Sequence, residues 1–346
     1  MSGSDDSLDL ERLALIAGGH TAFQLLWAGV QLDLFGTLSS EPGLDREQLA
    51  ERLGLADKPA RILLVGLTAL GLIRKEEAGY RNAALTERML VGGEAASIAP
   101  VLGWQAHIVY PGLQDFLDAL RQNRNVGLER FPGPGDTLYQ RLTAHPDLEA
   151  VFQEAMSALS AQASPTLMEA VDFSAYRHLV DVGGGDASNA IALAQRYPQL
   201  RVTVFESPSV CEHAERRIAA AGLGDRVGTH AGDMFRDPFP EGVDAILFAH
   251  IFTIWSQEEN RRLLERAHAA LPEGGSVLIF NMMGRDDDTG PLTTALGSPY
   301  FLAIATGEGM LYAWQDHEES MQRAGFGHIQ RIADLPLDHG VLIGTK

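Results

Sequence analysis

The stretch Leu179–Ser188, with the sequence LVDVGGGDAS, decides the fold of this chain. Its first, mainly apolar residues predict a buried parallel strand, and the three consecutive glycines that follow predict a tight turn. Apolar periodicity from Ala190 to Arg196 predicts a helix. Glycine lacks the Cβ that would keep a ligand away from the backbone of such a turn. Strand, glycine turn and helix together therefore predict a ligand site, although an ordinary βα turn has the same pattern.

A second predicted strand, Val202–Glu206, narrows the class of ligand. It ends in a carboxylate roughly 20 residues after the glycines, the spacing at which dinucleotide-binding folds hold ribose hydroxyls. The phosphate-binding signature GxGxxG is not met, because Ser188 stands where its last glycine would be. These observations favour a nucleoside that carries no phosphates.

Composition and charge exclude several classes of protein. A hydrophobic content of 45% and a charged content of 21% are typical of a soluble globular protein. The net charge of −19 argues against a nucleic-acid substrate. Cys211 is the only cysteine, which excludes an intrachain disulfide and fits the reducing cytoplasm. The polar N-terminus lacks a secretory pattern, no apolar run approaches the ~20 residues of a membrane span, and the histidines lack metal-ligand spacing, so we expect a metal-free reaction.

The motifs of this chain occur in the order found in a known family. It resembles the class I S-adenosylmethionine-dependent methyltransferases of the plant-type small-molecule O-methyltransferase family, which has members in bacterial natural-product pathways. The matching segments are 180–185 (VDVGGG), 206–208 (ESP), 232–235 (GDMF), Trp255, 271–275 (LPEGG) and 324–326 (AGF). The resemblance covers nearly the whole chain and implies S-adenosyl-L-methionine as the cofactor.

The pattern and the resemblance together predict three parts. Residues 173–346 form a Rossmann-like, doubly wound parallel α/β catalytic domain, because strands and helices alternate there. Residues 1–100 form a mainly α-helical dimerisation domain with a winged-helix element, built from helices at 45–53 and 59–70 and a hairpin at 79–82. Residues 101–172 form a helical linker and acceptor-pocket region. In the family the N-terminal helices interlock between two subunits, which implies a homodimer; an intrachain bundle is the alternative.

The resemblance assigns the cofactor contacts residue by residue. The turn at Gly183 and Gly185, with Asp181 at the end of the strand, would face the methionyl part, and Glu206 would accept both ribose hydroxyls. Asp233 would accept from the adenine amino group, or alternatively cap a helical turn. Met234 and Phe235 would pack on the adenine ring.

An acceptor pocket is predicted from aromatic and apolar residues on helices, although core packing is the alternative for each of them. We expect His107 and Tyr110 on a helix within 97–130, and Phe152 and Met156 on a helix over 138–159. The fifth predicted residue is Trp255.

The chain departs from the family at its catalytic centre. Aligned on His250 and Trp255, the family pattern His-x-x-His-Asp-Trp puts Thr253 where the second histidine removes the phenol proton. Threonine has no useful basicity near neutral pH. Asn281 replaces a family glutamate at the end of the next strand, and Glu308 matches the other family acid.

Three interpretations follow. The favoured one is ring C-methylation of a small phenolic metabolite, such as tyrosine or a hydroxykynurenine, with His250, His107 or Glu308 as the base. The second is O-methylation of an ionised acceptor or of one activated by proximity. The third is binding of S-adenosylmethionine without methyl transfer. A metabolite-sensing winged-helix regulator is the alternative from another class, but the predicted recognition helix 60–70 carries only Arg61 as a basic residue.

Overall fold

The computed structural model describes residues 8–93 and 97–346. The chain divides into two compact units, the first ending at Ala106 and the second beginning at His107. Residues 107–172, predicted as part of a separate linker, cluster with the second unit. The three-part division remains a prediction.

The first unit is helical and contains one small hairpin. Its elements are α1 Leu10–Ala17, α2 Gly19–Gln31, α3 Leu34–Ser40, α4 Arg46–Arg52, α5 Asp57–Ala69, β1 Ile73–Glu76, β2 Gly79–Asn82, α6 Ala84–Thr86, a π-turn Glu87–Val91 and α7 Ala99–Trp104. Asp45 begins α4 with a capping box, in which its carboxylate accepts from the backbone of Gln48 and the Gln48 side chain reaches back. The order helix, helix and hairpin matches the prediction, and the winged-helix assignment stays a prediction.

Leucine side chains from α3, α4 and α5 form the core of this unit, together with Ile73 and Tyr80 of the hairpin. In contrast, α1 buries none of its residues. Leu10, Leu13 and Ile16 on α1 are between 49% and 85% exposed, so among the described residues this helix leaves an apolar face uncovered.

The helical part of the second unit is more broken than predicted. It consists of a π-turn Gln105–Val109, α8 Tyr110–Gly112, a 3₁₀ turn Leu113–Asp115, α9 Phe116–Gln122, a 3₁₀ turn Val126–Arg130, α10 Leu138–Leu142, α11 Pro146–Ala170 and a 3₁₀ turn Phe173–Ala175. The predicted helix over 138–159 was wrong in extent, because Pro146 begins a new helix that continues past Pro165 to Ala170.

A seven-stranded sheet forms the centre of the second unit. Its elements are β3 His178–Val182, α12 Ser188–Arg196, β4 Arg201–Glu206, α13 Pro208–Ala220, β5 Val227–Ala231, β6 Ala245–Ala249, α14 Gln257–Ala270, β7 Ser276–Met282, α15 Leu292–Tyr300, a π-turn Phe301–Ala305, α16 Trp314–Arg323, β8 Gly327–Ile332, a 3₁₀ turn Pro336–Asp338 and β9 His339–Thr345.

The strand order is β5-β4-β3-β6-β7-β9-β8. Strands β3 to β7 pair in parallel, as predicted, whereas β9 runs antiparallel to both β7 and β8. The sheet is therefore mixed rather than wholly parallel. The difference arises because β8 and β9 are joined by a short turn that reverses the chain, without a crossover helix.

Both faces of the sheet are covered. Alternate strand residues such as Leu179 and Leu247 pack against α11 and α12, and Val180 and Phe248 pack on the other side with α14 and α16. Within residues 8–93 and 97–346, no single helix is both long and apolar enough to cross a membrane. The bent pair α1 and α2, at 69° to each other, meets that criterion only when the two helices are taken together.

Candidate active site

The strand order reverses between β3 and β6, and this switch point brings Gly183 against the segment that follows β6. Gly183 has φ +66°, and a Cβ built on it would lie 2.3 Å from Ile251 Cδ1. Its amide donates to the Phe205 carbonyl at 2.8 Å, which ties the turn to β4. Ligands of doubly wound folds bind in the crevice at such a switch point.

Two acids lie at the edges of this crevice. Asp181 is fully buried, and neither of its carboxylate oxygens has a hydrogen-bond partner in the described part of the chain. Burial, and to a lesser extent the charge of Glu206, raises the pKa of Asp181 to about 7. Burial also raises the pKa of Glu206 to about 7, although the Ser207 amide opposes this by donating to its carboxylate. Within the described residues, Asp181 therefore has unmet hydrogen-bonding capacity beside the glycine turn, and Glu206 accepts one bond from the Ser207 amide.

The predicted adenine segment follows β5. The Gly232 amide donates to the Glu206 carbonyl at 2.9 Å, so the turn is tied to the end of β4. Asp233 Oδ1 accepts from the Phe235 amide at 2.9 Å, and Oδ2 lies 3.5 Å from Arg236 Nε. Asp233 thus has a turn-capping role on one oxygen, and its side chain stays 46% exposed. The Phe235 ring meets Trp255 edge-to-face at 5.0 Å, which joins the predicted adenine and acceptor residues.

His250 adopts a left-handed conformation, φ +59°, directly after β6. Its Nε2 lies 3.0 Å from Nε2 of His339, and His339 Nδ1 lies 2.9 Å from the Pro336 carbonyl. A carbonyl can only accept, so His339 carries its proton on Nδ1 and accepts from His250 Nε2–H. Burial, with the adjacent His339, lowers the pKa of His250 to about 3. His250 is therefore neutral at pH 7 and weakly basic.

Thr253 and Asn281 are both buried near this point. Thr253 is 3% exposed, and its Oγ1 donates to the His250 carbonyl at 3.1 Å. Asn281 ends β7 fully buried, and within the described residues neither atom of its carboxamide has a hydrogen-bond partner. Thr253 thus completes a backbone turn, while Asn281 keeps donor and acceptor capacity.

Glu308 is exposed, but its loop packs directly on the segment that follows β6. A Cβ on the neighbouring Gly309 would lie 2.2 Å from the Thr253 carbonyl oxygen. Tyr312, at the far end of the loop, donates its hydroxyl to the Trp255 carbonyl at 2.9 Å. The fold therefore brings the segments that carry Thr253, Trp255 and Glu308 together.

An aromatic cluster, which we define as Tyr139, Phe152 and Tyr300, joins α10, α11 and α15. The rings of Tyr139 and Phe152 meet edge-to-face at 5.7 Å. The side chains of Tyr139 and Tyr300 interact in the interior, and burial raises the pKa of Tyr139 to about 12. Met156 lies half-buried one turn after Phe152 on α11. The sequence analysis missed both tyrosines, because their pairing spans α10 and α15.

Two more predicted residues, His107 and Tyr110, lie on the segment that leads into α8, and a separate groove lies beside α11. His107 is exposed on the π-turn before α8, and Tyr110 is half-buried at the first residue of α8. A groove of about 590 Å³ runs between α11 and α12, but it is lined by none of the predicted site residues. Among the described residues, no group of three or more histidine, cysteine or acidic side chains could hold a metal ion.

These features fit S-adenosylmethionine. Asp181 has buried unpaired oxygens that suit an ammonium group, and Glu206 has oxygens that suit ribose hydroxyls. The glycine turn leaves space that a side chain would fill.

Comparison with known proteins supports the same conclusion. Residues 113–327 match the O-methyltransferase domain, and residues 15–92 match the O-methyltransferase dimerisation domain. The chain is 43% identical over 343 residues to an L-tyrosine C(3)-methyltransferase of Streptomyces lavendulae, covering 98% of this chain and 93% of that protein. It is 32% identical over 332 residues to a 3-hydroxy-5-methyl-1-naphthoate 3-O-methyltransferase of Streptomyces sahachiroi, covering 96% and 94%.

Two solved structures share the whole fold. The S-adenosylmethionine-dependent methyltransferase SibL in its apo form matches with a TM-score of 0.86 and 42% identity, over 98% of this chain and 99% of that one. Human N-acetylserotonin methyltransferase in complex with SAM matches with a TM-score of 0.85 and 26% identity, over 100% and 99%. The chain belongs to the O-methyltransferase family and is an S-adenosylmethionine-dependent methyltransferase.

Proposed function

We propose that this enzyme methylates a ring carbon next to the hydroxyl of a phenolic amino acid, with L-tyrosine as the first candidate. The observation that carries the proposal is the family base position, which holds Thr253 with its hydroxyl directed to a backbone carbonyl. The 43% identity to an L-tyrosine C(3)-methyltransferase supports both the acceptor class and the acceptor atom.

The chemistry distinguishes the two acceptor atoms of a phenol. S-adenosylmethionine supplies an electrophilic methyl group on sulfur when it is bound. O-methylation needs the phenol oxygen in line with that methyl, and a base beside the oxygen to take its proton. C-methylation instead needs the ortho carbon in line, with the oxygen held to one side. A carbon–carbon bond then forms, the carbon–sulfur bond breaks, and the ring hydrogen leaves as a proton.

Asp181, the turn at Gly183 and Gly185, and Glu206 hold the cofactor in this proposal. Glu206 accepts from the ribose hydroxyls, and Asp181 accepts from the methionyl ammonium group, which meets its buried oxygens. Asp233 keeps one oxygen for the adenine amino group, beside Met234 and Phe235.

The acceptor binds between the aromatic cluster and Trp255. Phe152 and Met156 pack against the ring, and the buried hydroxyls of Tyr139 and Tyr300 hydrogen-bond to the phenol oxygen and hold it away from the methyl. Asn281 offers its unpaired carboxamide from the end of β7.

Among the three predicted bases, we set His250 aside, because burial lowers its pKa to about 3 and its Nε2–H is directed to His339. We assign it the role of fixing the segment after β6. Glu308, whose loop packs on Thr253, takes the acceptor proton. His107 remains the alternative, and a Glu308→Gln variant compared with a His107→Gln variant distinguishes the two by which one loses kcat.

The decisive experiment locates the transferred methyl. Purified enzyme is incubated with methyl-¹³C S-adenosylmethionine and L-tyrosine, 3-hydroxykynurenine or a phenolic acid, and the products are analysed by NMR. We expect a methyl on ring carbon 3 of tyrosine. A methyl on oxygen would refute C-methylation, and tight cofactor binding without transfer to any acceptor would favour a non-methylating or sensing role. The Glu206→Ala variant serves as the negative control.

We also propose a homodimer that works in the cytoplasm on free small molecules, without a nucleic-acid or membrane partner. The dimerisation domain and the exposed apolar face of α1 support the dimer, and the net charge of −19 disfavours nucleic acid. Light scattering of wild type and of a Leu13→Glu variant tests the dimer, since we expect the variant to dissociate at micromolar concentration.

A further inference from the structure

Asp186, in the glycine turn, is a carboxylate with all of its acceptor positions occupied. Its Oδ1 accepts from the amide and the hydroxyl of Ser188 at 3.0 and 2.6 Å. Its Oδ2 accepts from the Ser157 hydroxyl at 2.9 Å and forms an ion pair with Arg217. The Asp186 side chain is only 12% exposed, so these contacts are poorly screened by water. Four donor groups, from three residues, fill the acceptor positions of the carboxylate and fix its orientation.

These partners come from different parts of the proposed site. Ser188 begins α12, directly behind the glycine turn. Arg217 lies on α13, the helix that follows Glu206 and β4. Ser157 lies on α11, next to Met156 in the sequence. Arg217 also reaches Ser157 Oγ at 3.3 Å, which closes a three-membered network.

The turn itself is held in a conformation that needs support. Gly183 and Gly185 have φ values of +66° and +54°, and Ala187 has φ +67° although it carries a Cβ. Residues with a Cβ rarely adopt this region. Ala187 is also fully buried. The contacts of Asp186 on both sides of the turn are therefore well suited to stabilise it.

We propose that Asp186 is a positioning residue, and that the Asp186–Ser157–Arg217 network couples occupation of the cofactor turn to the helix that lines the acceptor pocket. The inference rests on the proposed assignment of the glycine turn to the cofactor and of α11 to the acceptor. One Asp186 carboxylate oxygen accepts hydrogen bonds from Ser188 at the end of the turn, and the other contacts α11 and α13. A cofactor that orders the turn therefore also orders α11 near Met156.

The chemistry of the network separates this role from simple packing. An asparagine at position 186 has the same size, but its amide nitrogen would meet donors, either Ser188 N–H or the Arg217 guanidinium. Ser157→Ala removes the contact between the turn and α11, together with the Arg217–Ser157 contact, and it leaves the Asp186–Arg217 ion pair in place. Ser160→Ala, three residues along the same helix, is the matched control; Ser160 contributes its backbone carbonyl to the Ser164 hydroxyl.

The experiment measures hydrogen exchange of the full chain with and without S-adenosylhomocysteine, the demethylated cofactor product. In wild type and Ser160→Ala we expect exchange to slow in segment 183–188 and also in segment 152–160 of α11. In Ser157→Ala we expect the cofactor product to slow exchange in segment 183–188 as before. The slowing in segment 152–160 should be smaller by at least about ten-fold, the size of one hydrogen bond to a charged group. Asp186→Asn should weaken both effects.

Three outcomes would overturn the inference. Slowed exchange in the turn without any effect on α11 in wild type would show that the two are uncoupled, with the cofactor site intact. Full retention of the α11 effect in Ser157→Ala would show that another contact carries the coupling. A wild type whose turn does not respond at all would refute the cofactor site itself, and the inference with it.

Discussion

Gly183→Ala tests the packing at the switch point of the sheet. The new Cβ would lie 2.3 Å from Ile251 Cδ1 and 3.2 Å from Cγ1, and the residue has φ +66°. A left-handed conformation costs an alanine about 1–2 kcal/mol. Overpacking a filled core costs about 1–3 kcal/mol more. We therefore expect the free energy of unfolding to fall by about 2–5 kcal/mol.

Three further variants separate the conformational cost from the overpacking cost. Gly222 has φ +68° and no atom within 4 Å of its built Cβ, so Gly222→Ala carries the conformational cost alone, about 1–2 kcal/mol. Ile251→Val deletes Cδ1, the atom in the collision. The double variant Gly183→Ala/Ile251→Val should therefore lose less stability than the sum of its parts, with a coupling of about 1–2 kcal/mol.

Urea unfolding followed by circular dichroism measures the free energy of unfolding of the four variants. Calorimetry measures their affinity for S-adenosylhomocysteine. We expect Gly183→Ala to weaken binding as well, since the strained turn would shift away from β4. If Gly183→Ala lost no more stability than Gly222→Ala, the close approach of Ile251 would not be a real constraint and the reasoning would fail.

Glu206→Ala should lower the affinity for S-adenosylhomocysteine by at least about 100-fold, because two hydrogen bonds to a carboxylate are lost; Glu215→Ala, on the outside of α13, should leave calorimetric affinity unchanged. Because the pKa of Glu206 is raised to about 7, its acceptor form is lost on acidification, so that affinity in wild type should fall between pH 8 and pH 6; a flat profile would count against Glu206. Thr253→Val removes one hydrogen bond to a backbone carbonyl and should cost about 1 kcal/mol in urea unfolding while keeping methyl transfer; complete inactivation would mean that the hydroxyl touches the acceptor. Burial lowers the pKa of His317 to about 4, so the unfolded chain takes up its proton first and stability is lost as pH falls from about 6.5 to 4; His317→Phe should abolish about 3 kcal/mol of that loss in urea unfolding.

Most of the detail predicted for the second unit came from short local patterns in the sequence. The strand before Gly183, the carboxylate at the end of β4 and the turn after β5 each follow from a few adjacent residues, because burial and backbone freedom act locally. The assignment of Thr253 to the position of the family histidine came from the resemblance and stays a prediction. The helix predicted over 138–159 was less accurate, because the apolar periodicity continues through the break at Pro146.

The sequence by itself determined the order of strands and helices, the family and the cofactor class. Only the tertiary structure decided what the remaining side chains do. His250 and His339 are 89 positions apart and meet because antiparallel β9 begins beside the end of β7, next to the end of β6. Tyr139 meets Tyr300, and Asp186 reaches Ser157 and Arg217, through the packing of separate helices. Hydrogen bonds and pKa shifts depend on distances and burial, which the fold sets between segments remote in the chain, so no local pattern could have contained them.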